Sequence, residues 1–268
     1  MLKYAIPTYK LFSTPTLSVV IVAKNEAINI VDCIKSAVFA DEVLVIDSGS
    51  TDQTVALALE AGAKVIQTDW PGYGPQQNRA IVASTGDWIY SIDADERITP
   101  ELATEILAAI NIAKFDVFDV ARSSLFINKF MRHSGWWPDR TRRLFKRDSA
   151  QFTSHEIHAN LSTTKPVGHL KNHMIHYSYR NMHDVLEKMN RYSGGSARDL
   201  NARGKKASLL SAIGHGVWSF IRTYLIKLGF LDGAEGFILA VVNAESAYYK
   251  HLKLAYLNKP VVNKFAEK

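Results

Sequence analysis

Four short apolar runs, separated by segments of helical spacing, constrain the first 115 residues more than any other feature of the chain. Leu17 to Ala23 is an apolar run and reads as a buried strand. Ala27 to Phe39 places Ile30, Ile34, Ala37 and Val38 at helical intervals. Val43 to Ile46 is a second strand, ending in Asp47, and Thr54 to Ala61 is a helix closed by Gly62. Lys64 to Gln67 reads as a third strand, Pro75 to Ser84 as a helix and Asp87 to Ile92 as a fourth strand. Thr99 then caps a helix with Pro100 at its first position, running to about Ala113.

Strands alternating with helices predict an α/β fold, a mostly parallel sheet flanked by helices. Ligands on such sheets bind at the carboxyl ends of the strands. Three polar clusters fall there: Lys24-Asn25-Glu26, Asp47 to Asp52, and Asp93-Ala94-Asp95-Glu96. No glycine-rich dinucleotide fingerprint and no Walker-type loop is present, which disfavours dehydrogenases and P-loop enzymes. From about Met182 the chain reads as helical, with glycine breaks at Gly204, Gly214, Gly229 and Gly236. Three regions are therefore expected: an N-terminal segment 1–16, a catalytic domain 17–181 and a C-terminal helical extension 182–268.

The formal charge of +6 is unevenly placed. Residues 1–200 balance at 22 basic and 22 acidic side chains, whereas residues 201–268 carry 10 basic and 4 acidic. A basic C-terminal quarter suits an anionic lipid surface or an anionic acceptor. No nucleic-acid-binding motif accompanies the charge, so nucleic acid is not expected as a partner. Residues 122–147 hold eight basic side chains against the single acid Asp139, a field that would favour an acidic acceptor. The single cysteine, Cys33, sits at helical spacing and is expected in the core. No secretory signal and no run of about 18 apolar residues is evident, so a cytoplasmic protein without a membrane span is expected.

Asp93 and Asp95 are two apart, so a locally extended chain points both side chains one way. Two carboxylates on one side suit a hard divalent ion that shares its remaining sites with water and phosphate oxygens. An acidic turn favouring the next helix N-terminus would look the same.

The order Val19 to Glu26, then Val45 to Thr54, then Ile92 to Glu96 resembles the family 2 glycosyltransferases, which have the GT-A nucleotide-sugar-binding fold. Gly72 to Ala80 is similar to that family's donor-side loop and helix start. Gly135-Trp136-Trp137-Pro138-Asp139, Arg142 to Phe145, His155-Glu156 and Gly229 to Gly233 resemble one branch of it. That branch includes bacterial lipopolysaccharide-core β-1,4-glucosyltransferases acting on inner-core heptose. The resemblance implies a UDP-sugar donor, Mg²⁺ or Mn²⁺ as cofactor, and a lipopolysaccharide-core or other lipid-anchored glycan as acceptor.

It also implies residue roles. Asp47 would contact the uridine, with Asn25 and Glu26 lining its pocket. Asp95 would be the main metal ligand, Asp93 would serve the ribose or the metal, and His176 would complete the metal shell. Arg79 would meet the donor phosphates or sugar, a task that suits its planar fork of donors. Inverting transfer needs a base for the acceptor hydroxyl; Glu156 is the first candidate and Asp139 the second.

Val217 to Leu228 is apolar but interrupted by Arg222 and Lys227, and reads as an interfacial amphipathic segment on the inner face of the cytoplasmic membrane. The rival readings are transfer to polyprenyl phosphate or another envelope glycan, a non-catalytic nucleotide-sugar-binding protein, and a nucleotidyltransferase.

Overall fold

The structure, a computed structural model, describes residues 14–153, 160–257 and 259. Its centre is a mixed sheet. β1 (Leu17–Ala23) pairs in parallel with β2 (Glu42–Asp47) on one side and β4 (Trp88–Asp93) on the other, and β2 pairs in parallel with β3 (Lys64–Gln67). Beyond β4 the sheet changes direction. β8 (Asp139–Lys146) runs antiparallel to both β4 and β6 (Val117–Phe126). β11 (Val167–Tyr179) is parallel to β6, and β5 (Glu96–Ile98) is antiparallel to β11. A short β7 (Lys129–Phe130) pairs with the end of β6, and β9 (Gln151–Phe152) and β10 (Leu161–Ser162) form a separate hairpin.

Strand alternation divides the core. Leu17, Val19 and Ile21 of β1 face one side and pack with Ile30, Cys33, Ile34, Leu102 and Ile106. Val20 faces the other side, with Leu44, Ile46, Ala80, Ile89 and Phe145. The helices on the first side are α1 (Ile30–Ser36), α2 (Thr54–Glu60) and α4 (Pro100–Ile112); α3 (Tyr73–Ala83) lies on the second. Both faces are covered, which is why β1 reads as an unbroken apolar run. Cys33 is fully buried, as expected.

Local signals act where they were read. The Thr99 hydroxyl accepts from Leu102 N at 3.2 Å and Pro100 opens α4. The helix expected from Ala27 starts three residues late. The N–H groups of Glu26 and Ala27 are taken by Thr54 and Asp52 instead, which holds residues 26–29 as a turn.

The C-terminal region is helical, with α5 (Met182–Ala202), α6 (Leu209–Ile221) and α7 (Gly233–Tyr256). α6 continues into a π-helical turn, Arg222–Ile226, and a 3₁₀ turn, Gly229–Asp232, precedes α7. Two expected glycine breaks are corrected: Gly214 and Gly236 lie inside helices. Gly236 is small because the Gly229 carbonyl presses on it; a Cβ there would sit 1.9 Å from that oxygen. The turn falls at Gly233, with φ of 69°. A third apolar cluster (Phe126, Met131, Val185, Leu239, Val242) joins β6 to α5 and α7, so the extension packs on the sheet.

Candidate active site

The carboxyl ends of β1, β2 and β4 meet at one edge, and cross-bonds join their loops. Asn25 adopts a left-handed backbone, with φ of 56°, and its Oδ1 accepts from Thr51 N at 2.8 Å. Its own N–H donates to Ser50 Oγ at 2.8 Å. Asp47 is buried and closes the turn after β2. Its Oδ2 accepts from Gly49 N and Ser50 N, and its Oδ1 from the Ser50 hydroxyl. The Glu26 carboxylate accepts from Asn29 at 2.7 Å. Burial pushes its pKa up, and the nearby Asp95 charge adds to that effect against the Asn29 bond.

The acidic turn is clamped from below. Arg97 donates to the carbonyls of Ala94, Glu96 and Asn29, and Tyr177 N donates to Asp95 O at 2.9 Å. The spacing of Asp93 and Asp95 suggested a shared role, but their surroundings separate them. Asp93 bonds Arg143 at 2.6 Å, and Arg143 also bonds Glu96 at 2.6 Å. Glu96 is fully buried and bonds back to Asp93 N at 3.0 Å. Burial raises the Glu96 pKa, and Arg143 opposes the rise. Burial disfavours the Arg143 charge, but Asp93 and Glu96 outweigh it and hold that pKa above the ordinary arginine value. Arg143 Nε is buried without a partner among the described residues.

Asp95 faces the other way. Its carboxylate lies 3.5 Å from His176 Nε2. Burial alone would raise its pKa, yet His176, with Lys188 and Arg143 beyond it, holds it below the usual carboxylate range. His176 Nδ1 is 3.0 Å from Ser124 Oγ. The lowering at Asp95 needs a proton on Nε2; with the proton on Nδ1 and donated to Ser124 instead, Nε2 would free its lone pair for an ion shared with Asp95. A carboxylate beside an imidazole lone pair is a donor set that suits a divalent ion. Among the described residues no third acid, histidine or cysteine joins them, so water or ligand oxygens would complete the shell.

Beside His176 opens a cleft of about 280 Å³, lined by Arg122, Ser124, Trp136, Asp139 and Tyr179 among others. Asp139 Oδ2 accepts both Arg122 bonds, one of 2.8 Å from Nε. The loop bearing Trp136 is pinned from the C-terminal region. Asp232 accepts from the N–H groups of Arg132 and His133 at 3.1 and 2.9 Å. Glu156, the first candidate base, lies outside the described residues. In the neighbouring β9, Asn78 of α3 bonds both N and O of Phe152.

Two expectations need restating. Arg79 is engaged with Asp69 at 2.6 Å on an exposed face. The basic stretch 122–147 is largely consumed inside the protein: Arg122 by Asp139, Arg140 by Asp119, Arg143 by Asp93 and Glu96, and Arg147 by the carbonyls of Ile81, Ser84 and Gly86. It is mainly a structural network, with few cations left for an acceptor. Spacing gave no signal for Arg97, which sits beside the acidic turn, or for Ser124 and Lys188, which reach the site from distant positions.

A profile described as Glycosyl transferase family 2 matches residues 18–166. A protein of Rickettsia bellii named uncharacterized glycosyltransferase is 31% identical over 258 residues, covering 91% of this chain and 88% of that one. The lipopolysaccharide core biosynthesis glycosyltransferase LpsC of Rhizobium meliloti is 28% identical over 257 residues, covering 88% of this chain and 93% of that one. Among solved structures, glucosyl-3-phosphoglycerate synthase from Mycobacterium tuberculosis, in complex with Mn²⁺, UDP and phosphoglyceric acid, is 29% identical with a TM-score of 0.36. That likeness covers 41% of this chain and 43% of that one.

Proposed function

The chain belongs to glycosyl transferase family 2, an enzyme family of GT-A fold, and from that premise we propose that it transfers a hexose, glucose first among candidates, from a UDP-sugar to an inner-core heptose of lipopolysaccharide, with inversion. The observation that carries this reading is the Asp95–His176 pair, 3.5 Å apart, whose histidine lines the Asp139 cleft. The similarity to LpsC over most of both chains supports the acceptor class.

Asp95 and His176 would hold Mg²⁺ or Mn²⁺, which when bound neutralises the charge developing on the diphosphate leaving group. Asp93, committed to Arg143, serves the ribose. Asn25, Glu26 and Asp47 line the uridine side, their loops braced before the donor arrives. The positive charges of Lys188 and Arg180, felt at Glu26, favour an anionic diphosphate. Arg79 must leave Asp69 to reach the donor. Glu156 would take the acceptor proton, with Asp139, held by Arg122 in the cleft, as the second candidate.

Among the described residues no helix is long and apolar enough to cross a membrane. α6 leaves Leu209, Leu210, Ile213, Val217 and Trp218 exposed, and Lys205 and Lys206 precede it. This combination suits peripheral association with an anionic membrane surface, where a lipid-anchored acceptor would be met.

The test is a donor screen with purified protein, Mn²⁺ and heptose-terminated lipopolysaccharide, read as UDP release. Release should need the metal and the heptose, and should favour UDP-glucose. Release unchanged in Asp95→Ala would overturn the metal assignment. Comparing Asp139→Asn with Glu156→Gln assigns the base: the true one should lower kcat by about 10²-fold or more.

A further inference from the structure

A second cavity, of about 450 Å³, lies between α5, α6 and α7 and shares its Gly135–Trp136 wall with the Asp139 cleft. That volume is within the range of small-molecule sites, about 300–1,000 Å³. Its lining is polar and contains no acid. Three cations face it: Arg222, Lys227 and Lys250. None of their side chains has an ion-pair or hydrogen-bond partner among the described residues, unlike the arginines of β6 and β8. The hydroxyls of Ser196 and Ser246 point no bond elsewhere either.

The backbone supports the arrangement. Arg222 opens the π-helical turn, and Lys227 follows it, with its carbonyl accepting from Ser134 N at 2.8 Å. Single π turns inside helices recur at functional sites. The same carbonyl contact ties the cationic turn to the loop that walls the active-site cleft.

Three unpaired cations and free hydroxyls around an acid-free cavity are the complement of a phosphate or carboxylate. We propose that this cavity is an anion subsite that receives a phosphate or carboxylate carried by the acceptor glycan while the reacting hydroxyl lies in the Asp139 cleft. The identification of the ligand as the acceptor rests on the proposed transferase function; the anion chemistry rests on the cavity alone.

The test is calorimetric binding to the full chain, without a sugar donor. The probes are a lipid-free, heptose-containing core oligosaccharide in phosphorylated form and the same oligosaccharide after phosphatase treatment. The phosphorylated probe should bind about tenfold tighter or more, and inorganic phosphate should compete with it. In the Arg222→Gln/Lys250→Gln double variant, and less strongly in Lys227→Gln, that preference should vanish while UDP affinity stays. These side chains have no partners, so their removal orphans none.

Equal affinity for the two probes in the unaltered protein would overturn the subsite, as would an equal loss for both in the variant. Vesicles of phosphatidylglycerol and of phosphatidylcholine form a second arm. Loss of phosphatidylglycerol binding in the variant, with the oligosaccharide preference intact, would assign the cations to lipid headgroups and also overturn it. Selective binding without UDP release from any donor would remove the transferase reading and leave the subsite. Transfer without phosphate preference would do the reverse.

Discussion

The Asp95 carboxylate and His176 Nε2 stand 3.5 Å apart, although 81 positions separate them in the chain. β5 pairs with β11 so that Glu96 sits opposite His176, which brings the end of the acidic turn to the histidine. We predict that Asp95→Ala abolishes measurable Mn²⁺ binding in the presence of UDP. His176→Ala should weaken it about 10- to 100-fold, and Ser124→Ala less, since Ser124 only orients the ring. Titration calorimetry with Mn²⁺ and UDP reads all three; wild-type affinity in His176→Ala would remove the histidine from the metal shell.

Arg143 bonds both Asp93 and Glu96. Replacing it with Leu strands a fully buried carboxylate, Glu96, whose other ion pair is with Arg122 at 3.6 Å. The expected loss is about 3–5 kcal/mol. Arg143→Lys should recover only part, because an ammonium lacks the planar fork. Urea unfolding monitored by circular dichroism measures this, and a midpoint unchanged in Arg143→Leu would contradict it.

Asp232 holds the 132–138 loop by two backbone N–H groups and the Ser134 hydroxyl. Asp232→Ala should therefore loosen the wall shared by the two cavities. We predict a raised KM for the acceptor with UDP affinity preserved, measured by steady-state kinetics and UDP titration. A loss confined to UDP binding would show that the loop serves the donor instead.

Glu42 gives a pH signature outside the active site. Burial opposes its charge, but bonds from Ser18, Thr85 and Lys64 prevail and lower its pKa from 4.5 to about 2. A depressed folded-state pKa means stability that is present above pH 4.5 and lost as pH falls toward 2. At about 1.4 kcal/mol per pKa unit, the contribution is at most about 3 kcal/mol. Chemical denaturation at pH 6, 4 and 3 should show a steeper decline for the unaltered protein than for Glu42→Gln; parallel declines would exclude Glu42 as the source.

The first four strands, their helices and the site-bearing edge were legible in local pattern, whereas β5 to β11 carried no such signal. β1, β2 and β4 are apolar because both sheet faces are covered, and that pattern is local. Thr99-Pro100 starts α4 through bonds within one turn. The polar clusters after the strands marked the site because strand direction and connection handedness leave them little choice of edge.

How the charges are used depends on long-range contacts. Asp93 and Asp95 share a spacing, yet Arg143, 50 residues from Asp93, takes the first and His176 the second. The basic stretch 122–147 looked like a field for an acceptor, but β6 and β8 pair in a register that sets its arginines against Asp119, Asp139, Asp93 and Glu96. The unpaired cations stand instead where α6 and α7 face α5. A charge acts through its nearest partner, and contacts across tens of residues set that partner, which no local pattern carries.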